Sequence, residues 1–173
     1  AFDQPGDVKS CDLIGADYDD TRWETLLSQM SKKETYDLIR HAGYGTMAVQ
    51  SAGVPGTVQK DGPAGISSTL AGGNLHCMAY EPAVVLASTY NVDLASRRGK
   101  LVGEDSLSSG VQVWYAPAMN IHRAAISGRN FEYYAEDPFL SGVFGAAETA
   151  AFQSKGGIVT IKHFALNDQE TNR

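Results

Sequence analysis

The run Ile158-Val159-Thr160-Ile161 constrains this chain more than any other segment. Consecutive β-branched residues are stiff at χ1 and favour an extended backbone. Because the run is continuous rather than alternating, it predicts a strand buried on both faces, as in a parallel sheet. Val111-Gln112-Val113-Trp114-Tyr115-Ala116-Pro117 is a second β-rich run. Gly53-Val54-Pro55-Gly56-Thr57-Val58-Gln59 is a third, and it leads into a Lys60-Asp61-Gly62-Pro63 loop. Thr46-Met47-Ala48-Val49 is a weaker fourth.

Helical signals lie between these runs. Trp23, Leu26, Leu27 and Met30 share one apolar helical face. Ser31-Lys32-Lys33-Glu34 is a capping box, so a helix should start there, run through Leu38 and Ile39, and stop near Gly43. Pro82 opens a helix at its first turn. Asp93 can cap another, with Gly110 as its stop. Ser141 to Lys155 is Ala-rich and predicted helical, ending at Gly156-Gly157.

Strands alternating with helices give an α/β fold with a parallel sheet. A dinucleotide-binding version needs a glycine fingerprint, and Gly43-Tyr44-Gly45 lacks its third glycine and later acidic partner. Polar residues instead gather after the strands, at Lys60-Asp61, at Asn120-Ile121-His122-Arg123 and at Lys162-His163. The C-terminal strand ends are where a (β/α)8 barrel keeps its active site. A whole barrel takes about 250 residues. With 173 residues, the expectation is an incomplete (β/α)8 TIM-like barrel, about half of one. Residues 1–20, punctuated by Pro5, Gly6 and Gly15, read as a linker or N-terminal extension, and 21–173 as the barrel part.

Charge and composition narrow the partners. The net charge is −6 and no Lys/Arg stripe occurs, which argues against nucleic acid and anionic membrane. No apolar run approaches the ~20 residues of a membrane helix, and Ala1-Phe2-Asp3-Gln4-Pro5 has no signal-peptide features. A soluble chain is expected. Cys11 and Cys77 read as free thiols that fit either redox compartment, the bacterial cytoplasm being one candidate. His41, His76, His122 and His163 form no HxxxH or HExxH pair, so neither metal nor cofactor is expected.

Three loop segments carry chemistry. In Lys60-Asp61-Gly62-Pro63 a tight turn holds the Asp61 carboxylate at a strand end, where its two oxygens suit adjacent sugar hydroxyls. In the segment from Ser127 to Pro138, Arg129 offers a planar fork of donors. Phe131, Tyr133 and Tyr134 could pack on a pyranose, although both tyrosines read more readily as packing residues. Glu136-Asp137-Pro138 reads as architecture: carboxylates that pair with an arginine or cap the following helix, and a proline that ends the loop. At Lys162-His163-Phe164, adjacent cation-capable residues at the end of a buried strand need partners, and both suit a polyol.

Taken together, KDGPAGI, NIHR, GRNFEYYAEDP and KHFALNDQETNR resemble glycoside hydrolase family 3, the retaining β-glucosidases and their relatives, over roughly Trp23 to Arg173. The resemblance implies that Asp61, Arg129, Lys162 and His163 bind the terminal sugar of a β-linked glucoside or related oligosaccharide. The opening segment looks most like bacterial members in which the barrel follows the other catalytic domain. A retaining glycosidase uses two carboxylates about 5–5.5 Å apart. The family's nucleophile is an Asp in a Ser-Asp-Trp-like motif on a later strand, and no such motif occurs here. Glu132, Glu136 and Asp168 match neither catalytic position, and Asp168 and Glu170 are expected to fix the loop after His163. No catalytic residue is therefore assigned, and hydrolysis is expected only together with the rest of a parent polypeptide. The alternative is a non-catalytic carbohydrate-binding or self-assembling half-barrel. Its bare Ile158–Ile161 edge would drive homo-oligomerisation when isolated. A phosphate-binding barrel is disfavoured, because no glycine-rich loop runs into a helix after a late strand.

Overall fold

The computed structural model describes residues 1–67, 75 and 77–172; His76 and Arg173 lie outside them. The chain divides into two compact units, Ala1–Val58 and Gln59–Arg173.

In the first unit a 3-10 turn at Ser10–Leu13 precedes helices α1 (Arg22–Gln29) and α2 (Lys32–Arg40) and strand β1 (Gly45–Thr46). Leu13, Leu26, Val49 and Ala52 form its core, with Trp23, Met30 and Leu38 packed against them. The capping box forms as predicted. The Ser31 hydroxyl accepts the Glu34 N–H at 3.0 Å, and the Glu34 carboxylate accepts the Ser31 N–H at 2.9 Å. Glu34 also accepts the Ser51 N–H (2.9 Å) and hydroxyl (2.8 Å), which ties α2 to the following loop. Those backbone donors, Ser51 first and then Ser31, hold its carboxyl down at about 2. The predicted apolar faces are narrower than expected, because Leu27 and Ile39 are exposed. On helices of 8 and 9 residues only one side meets the small core. The Thr46–Val49 run is not a barrel strand. Gly45 and Thr46 pair antiparallel with Val58 and Thr57, and Val49 forms only an isolated bridge to Val54.

The second unit is built on a parallel sheet. Strand β2 (Thr57–Asp61) places Gln59, Lys60 and Asp61 beside Val113, Trp114 and Tyr115 of β3 (Val113–Tyr115). Thus Lys60 and Asp61 extend the strand rather than open the loop. In turn β3 pairs in parallel with β4 (Ile158–Val159). Parallel neighbours need crossovers. The first contains α3 (Ala83–Ala87) and α4 (Val92–Ser109), and the second contains α5 (Pro138–Gln153). Two successive β-α-β crossovers make this an incomplete (β/α)8 barrel.

Local signals explain the helix limits. Asn91, not Asp93, caps α4, since its side chain accepts the Asp93 N–H at 3.0 Å; Gly110 ends the helix at φ 70°. The last helix begins three residues before Ser141. Asp137 accepts the Phe139 N–H at 2.9 Å, and Pro138 occupies the first turn, the capping role read for Glu136-Asp137-Pro138.

Trp114, Phe152, Val102, Val111, Ile66 and Ala116 form one core cluster, with the Trp114 and Phe152 rings stacked at 5.0 Å. A second holds Leu86, Ala95, Tyr134 and Phe144. Beside it Arg98 grips Glu148 through two hydrogen bonds of 2.6 and 2.8 Å, and the Tyr134 hydroxyl donates to the same carboxylate. Helices α4 and α5 approach closely at Gly99, where an added Cβ would lie 2.4 Å from the Glu148 carbonyl oxygen. The Ile158–Ile161 run departs from expectation: Ile158 is 54% and Ile161 53% exposed, because among the described residues β4 pairs only with β3. No helix among the described residues is long and apolar enough to cross a membrane.

Candidate functional site

The site gathers at the C-terminal ends of β2, β3 and β4. Asp61 is the last residue of β2, and its carboxylate accepts the Gly62 N–H at 2.7 Å. The turn depends on glycine: Gly62 has φ 129°, and a Cβ there would lie 1.8 Å from the Gly65 carbonyl oxygen. Two bonds anchor the turn. Ser67 N–H donates to the Asp61 carbonyl at 2.7 Å, and the buried Trp114 indole donates to the Gly62 carbonyl at 2.8 Å.

Past β4, backbone bonds fix Lys162 to the segment after β3: its N–H donates to the Pro117 carbonyl (3.1 Å) and its carbonyl accepts the Met119 N–H (2.8 Å). Its ammonium donates to Asp61 at 2.6 Å and lies 3.5 Å from the Glu132 carboxylate. The next residue, His163, donates its backbone N–H to the buried Asn120 side chain at 2.8 Å. The Lys162–His163 peptide bond is cis.

Arg129 precedes a 3-10 turn at Asn130–Glu132, and the i,i+3 spacing of that turn brings Glu132 back over it. The guanidinium donates from Nε to Glu132 at 2.5 Å and from Nη2 to His163 Nε2 at 2.7 Å, with Glu170 at 3.9 Å. Burial acts most strongly on Arg129 and opposes its charge. Glu132 outweighs it, with Tyr133 and Glu170 adding to the same side, so the pKa is raised. Tyr133 is fully buried; its hydroxyl lies 3.1 Å from His163 Nδ1 and accepts from the Asn167 amide at 2.5 Å. Burial first of all pushes that phenol's pKa up.

All four sugar-binding candidates thus fall on one polar row: Asp61, Lys162, Glu132, Arg129, His163. Opposite charges alternate along it, which lets each partly buried charge keep a partner. Sequence reasoning passed over the Glu132 link, the Asn120 anchor and the Tyr133–Asn167 support. The Arg129–Glu132 spacing was a readable signal for the first; the other contacts join residues 43 and 34 positions apart. Tyr134 is a packing residue, as expected, while Tyr133 both packs and supports the His163 ring. Asp168 pairs with Arg123 at 2.8 Å in the loop after His163.

A cavity of about 480 Å³ adjoins the row; its lining includes Asp61, Arg129, Glu132 and Lys162 together with the apolar Ile66, Leu75, Met78 and Pro82. That volume suits a small molecule, and the walls offer both polar and apolar contact. Phe131 is largely exposed and also borders it. Among the described residues no group of His, Cys, Asp and Glu could hold a metal ion. Asp61 and Glu132 are both engaged with Lys162, an arrangement that suits holding a ligand better than moving protons.

Comparison with known proteins bears on the family and the fold. The glycosyl hydrolase family 3 N terminal domain matches residues 25–172. Beta-glucosidase A of Butyrivibrio fibrisolvens is 39% identical over 150 residues, 87% of this chain and 18% of that protein. Beta-glucosidase B of Emericella nidulans is 34% identical, over 90% of this chain and 18% of its own. Among solved structures, beta-glucosidase 3B from Thermotoga neapolitana in complex with alpha-D-glucose superposes with a TM-score of 0.75 at 38% identity, covering 88% of this chain and 24% of that one. The Kluyveromyces marxianus beta-glucosidase in complex with glucose gives 0.78 at 31% identity, over 87% and 18%. The chain therefore spans about a fifth of the length of the curated relatives it matches, 18% in both cases. Over that span, from the first helix to the loop beyond His163, it belongs to the glycosyl hydrolase family 3 N terminal domain family.

Proposed function

We propose that this chain supplies the terminal-sugar site of a retaining β-glycosidase, a β-glucosidase, working within a longer polypeptide like those of its relatives. The observation that carries the reading is the single polar row in which Asp61, Lys162, Arg129 and His163 meet through Glu132. Such a row offers donors and acceptors in alternation, as a polyol requires. Contacts to hydroxyls that tighten as the oxocarbenium-like state forms accelerate cleavage. The nucleophile and the acid/base come from elsewhere in the enzyme. The test is Asp61→Ala in the full-length enzyme assayed on an aryl β-glucoside. Losing the carboxylate leaves Lys162, 12% exposed, without its 2.6 Å partner. A fall of about a hundredfold or more in kcat/KM is expected; near-normal kinetics would remove Asp61 from the site.

A second reading rests on the exposure of Ile158 in β4 and of Ile161 just beyond it. An apolar strand edge recruits another strand, so the isolated chain would associate with a second copy. Sedimentation velocity checks this, and a well-folded monomer at all concentrations counts against it.

A further inference from the structure

The donor inventory around His163 is over-determined. Arg129 Nη2 lies 2.7 Å from His163 Nε2. A guanidinium has donors only, so Nε2 must present its lone pair. A neutral imidazole then carries its proton on Nδ1, which sits 3.1 Å from the Tyr133 hydroxyl oxygen. The reverse polarity, with Tyr133 donating to Nδ1, would leave both ring nitrogens as acceptors, an imidazolate. The neighbouring histidine shows the opposite arrangement. His122 Nε2 lies 3.0 Å from the Tyr133 carbonyl oxygen, which only accepts, so His122 carries its proton on Nε2.

We propose that Arg129 and Tyr133 fix His163 as the Nδ1–H tautomer, so that His163 meets the ligand as a hydrogen-bond acceptor. This rests on the sugar-site reading above. Both ring nitrogens already have protein partners, so a ligand must enter by exchange. A hydroxyl can insert between the two side chains, its oxygen accepting from Arg129 and its hydrogen going to Nε2. That exchange selects groups that accept and donate at once. A hydroxyl qualifies; a fluorine, a ketone or a methyl ether does not. Tyr133 acts as a positioning residue on the His163 ring, and Asn167 acts one step further out, on the Tyr133 hydroxyl.

Two readouts test the proposal separately. In protein labelled with 15N in the histidine rings, long-range proton–nitrogen correlation at neutral pH should show Nδ1–H for His163 and Nε2–H for His122. The His163→Asn variant assigns the signal by its disappearance, and neutron diffraction locates the same hydrogen should that variant not fold. A proton on His163 Nε2, alone or together with one on Nδ1, overturns the proposal. Glucose is then compared with its monodeoxy and monodeoxyfluoro analogues by calorimetry on the full-length protein. At one ring position fluorine should weaken binding about tenfold, as much as hydrogen does, because it cannot donate. Fluorine binding as well as hydroxyl at every position refutes the acceptor role. Absence of any glucose binding, with the Nδ1–H tautomer present, refutes the sugar reading and the selection built on it while the tautomer assignment stands.

Discussion

Replacing Glu148 with glutamine should strongly destabilise the second unit while changing its volume little. Glu148 is fully buried, and it takes both the Nε and Nη2 bonds of Arg98, itself 3% exposed, together with the Tyr134 hydroxyl. Glutamine keeps one acceptor oxygen and turns an amide donor toward either Arg98 or Tyr134. Arg98 then retains the Glu81 carbonyl at 2.8 Å and a Glu81 carboxylate 3.7 Å away. Breaking a buried pair by removing one partner costs about 3–5 kcal/mol. The residual Glu81 contacts place this case near the lower figure, about 3 kcal/mol. With a urea dependence of about 2 kcal/mol per molar, the unfolding midpoint should fall by about 1.5 M. Urea titration followed by tryptophan fluorescence reads this directly, because Trp114 is buried in the same unit. The double variant Arg98→Met/Glu148→Leu should cost less than Glu148→Gln alone, since no buried charge is stranded. A midpoint shift below about 0.5 M for Glu148→Gln, or a double variant worse than the single, would refute the reasoning.

Other outcomes follow from the same structure. Tyr134→Phe should cost about 1 kcal/mol in the same titration, because Glu148 keeps its Arg98 partner when the phenol is lost. Gly99→Ala should lower stability by about 1–3 kcal/mol, seen as a melting point lower by about 2–4 °C per kcal/mol, since the new methyl meets the Glu148 carbonyl oxygen at 2.4 Å. Glu34 gives a pH signature. Its carboxyl falls from an ordinary 4.5 to about 2 in the fold, so the unfolded chain binds more protons between those values. The stabilisation is present above pH 4.5 and lost as pH falls toward 2, and Glu34→Gln should flatten that part of the stability–pH curve; an unchanged slope counts against the assignment.

Much of this architecture was legible because local chemistry dictates it. Ser31 and Glu34 specify a cap within four residues, and Gly110 ends its helix in a left-handed conformation that glycine adopts freely. The N-terminus of α4 was misplaced by two residues because Asn91 and Asp93 can both cap, and only the folded turn decides between them. Helix α5 was placed three residues late at its start and two residues late at its end, although Asp137-Pro138 already marks its start. The Thr46–Val49 run has strand-like composition, yet its pairing depends on a turn between Val49 and Val54 that periodicity does not encode. In the site, the residue types at strand ends were readable, and so was the family resemblance they carry. The Glu132 link to Arg129 was readable from its i,i+3 spacing but was passed over, whereas the roles of Asn120 and Tyr133 were not readable, since each acts on a residue far away in sequence.

The bond between Asp61 and Lys162 closes a span of 101 residues. No local segment can preassemble such a contact, because its ends meet only after β2, β3 and β4 have found one another. Shifting Lys162 by one residue along the backbone pairs that hold it, Pro117 and Met119, would turn its side chain to the opposite face of the sheet. A ligand held by both Asp61 and Lys162 therefore binds only the correctly registered sheet and draws the folding equilibrium toward it. Occupancy of this site is in effect an inspection of strand order.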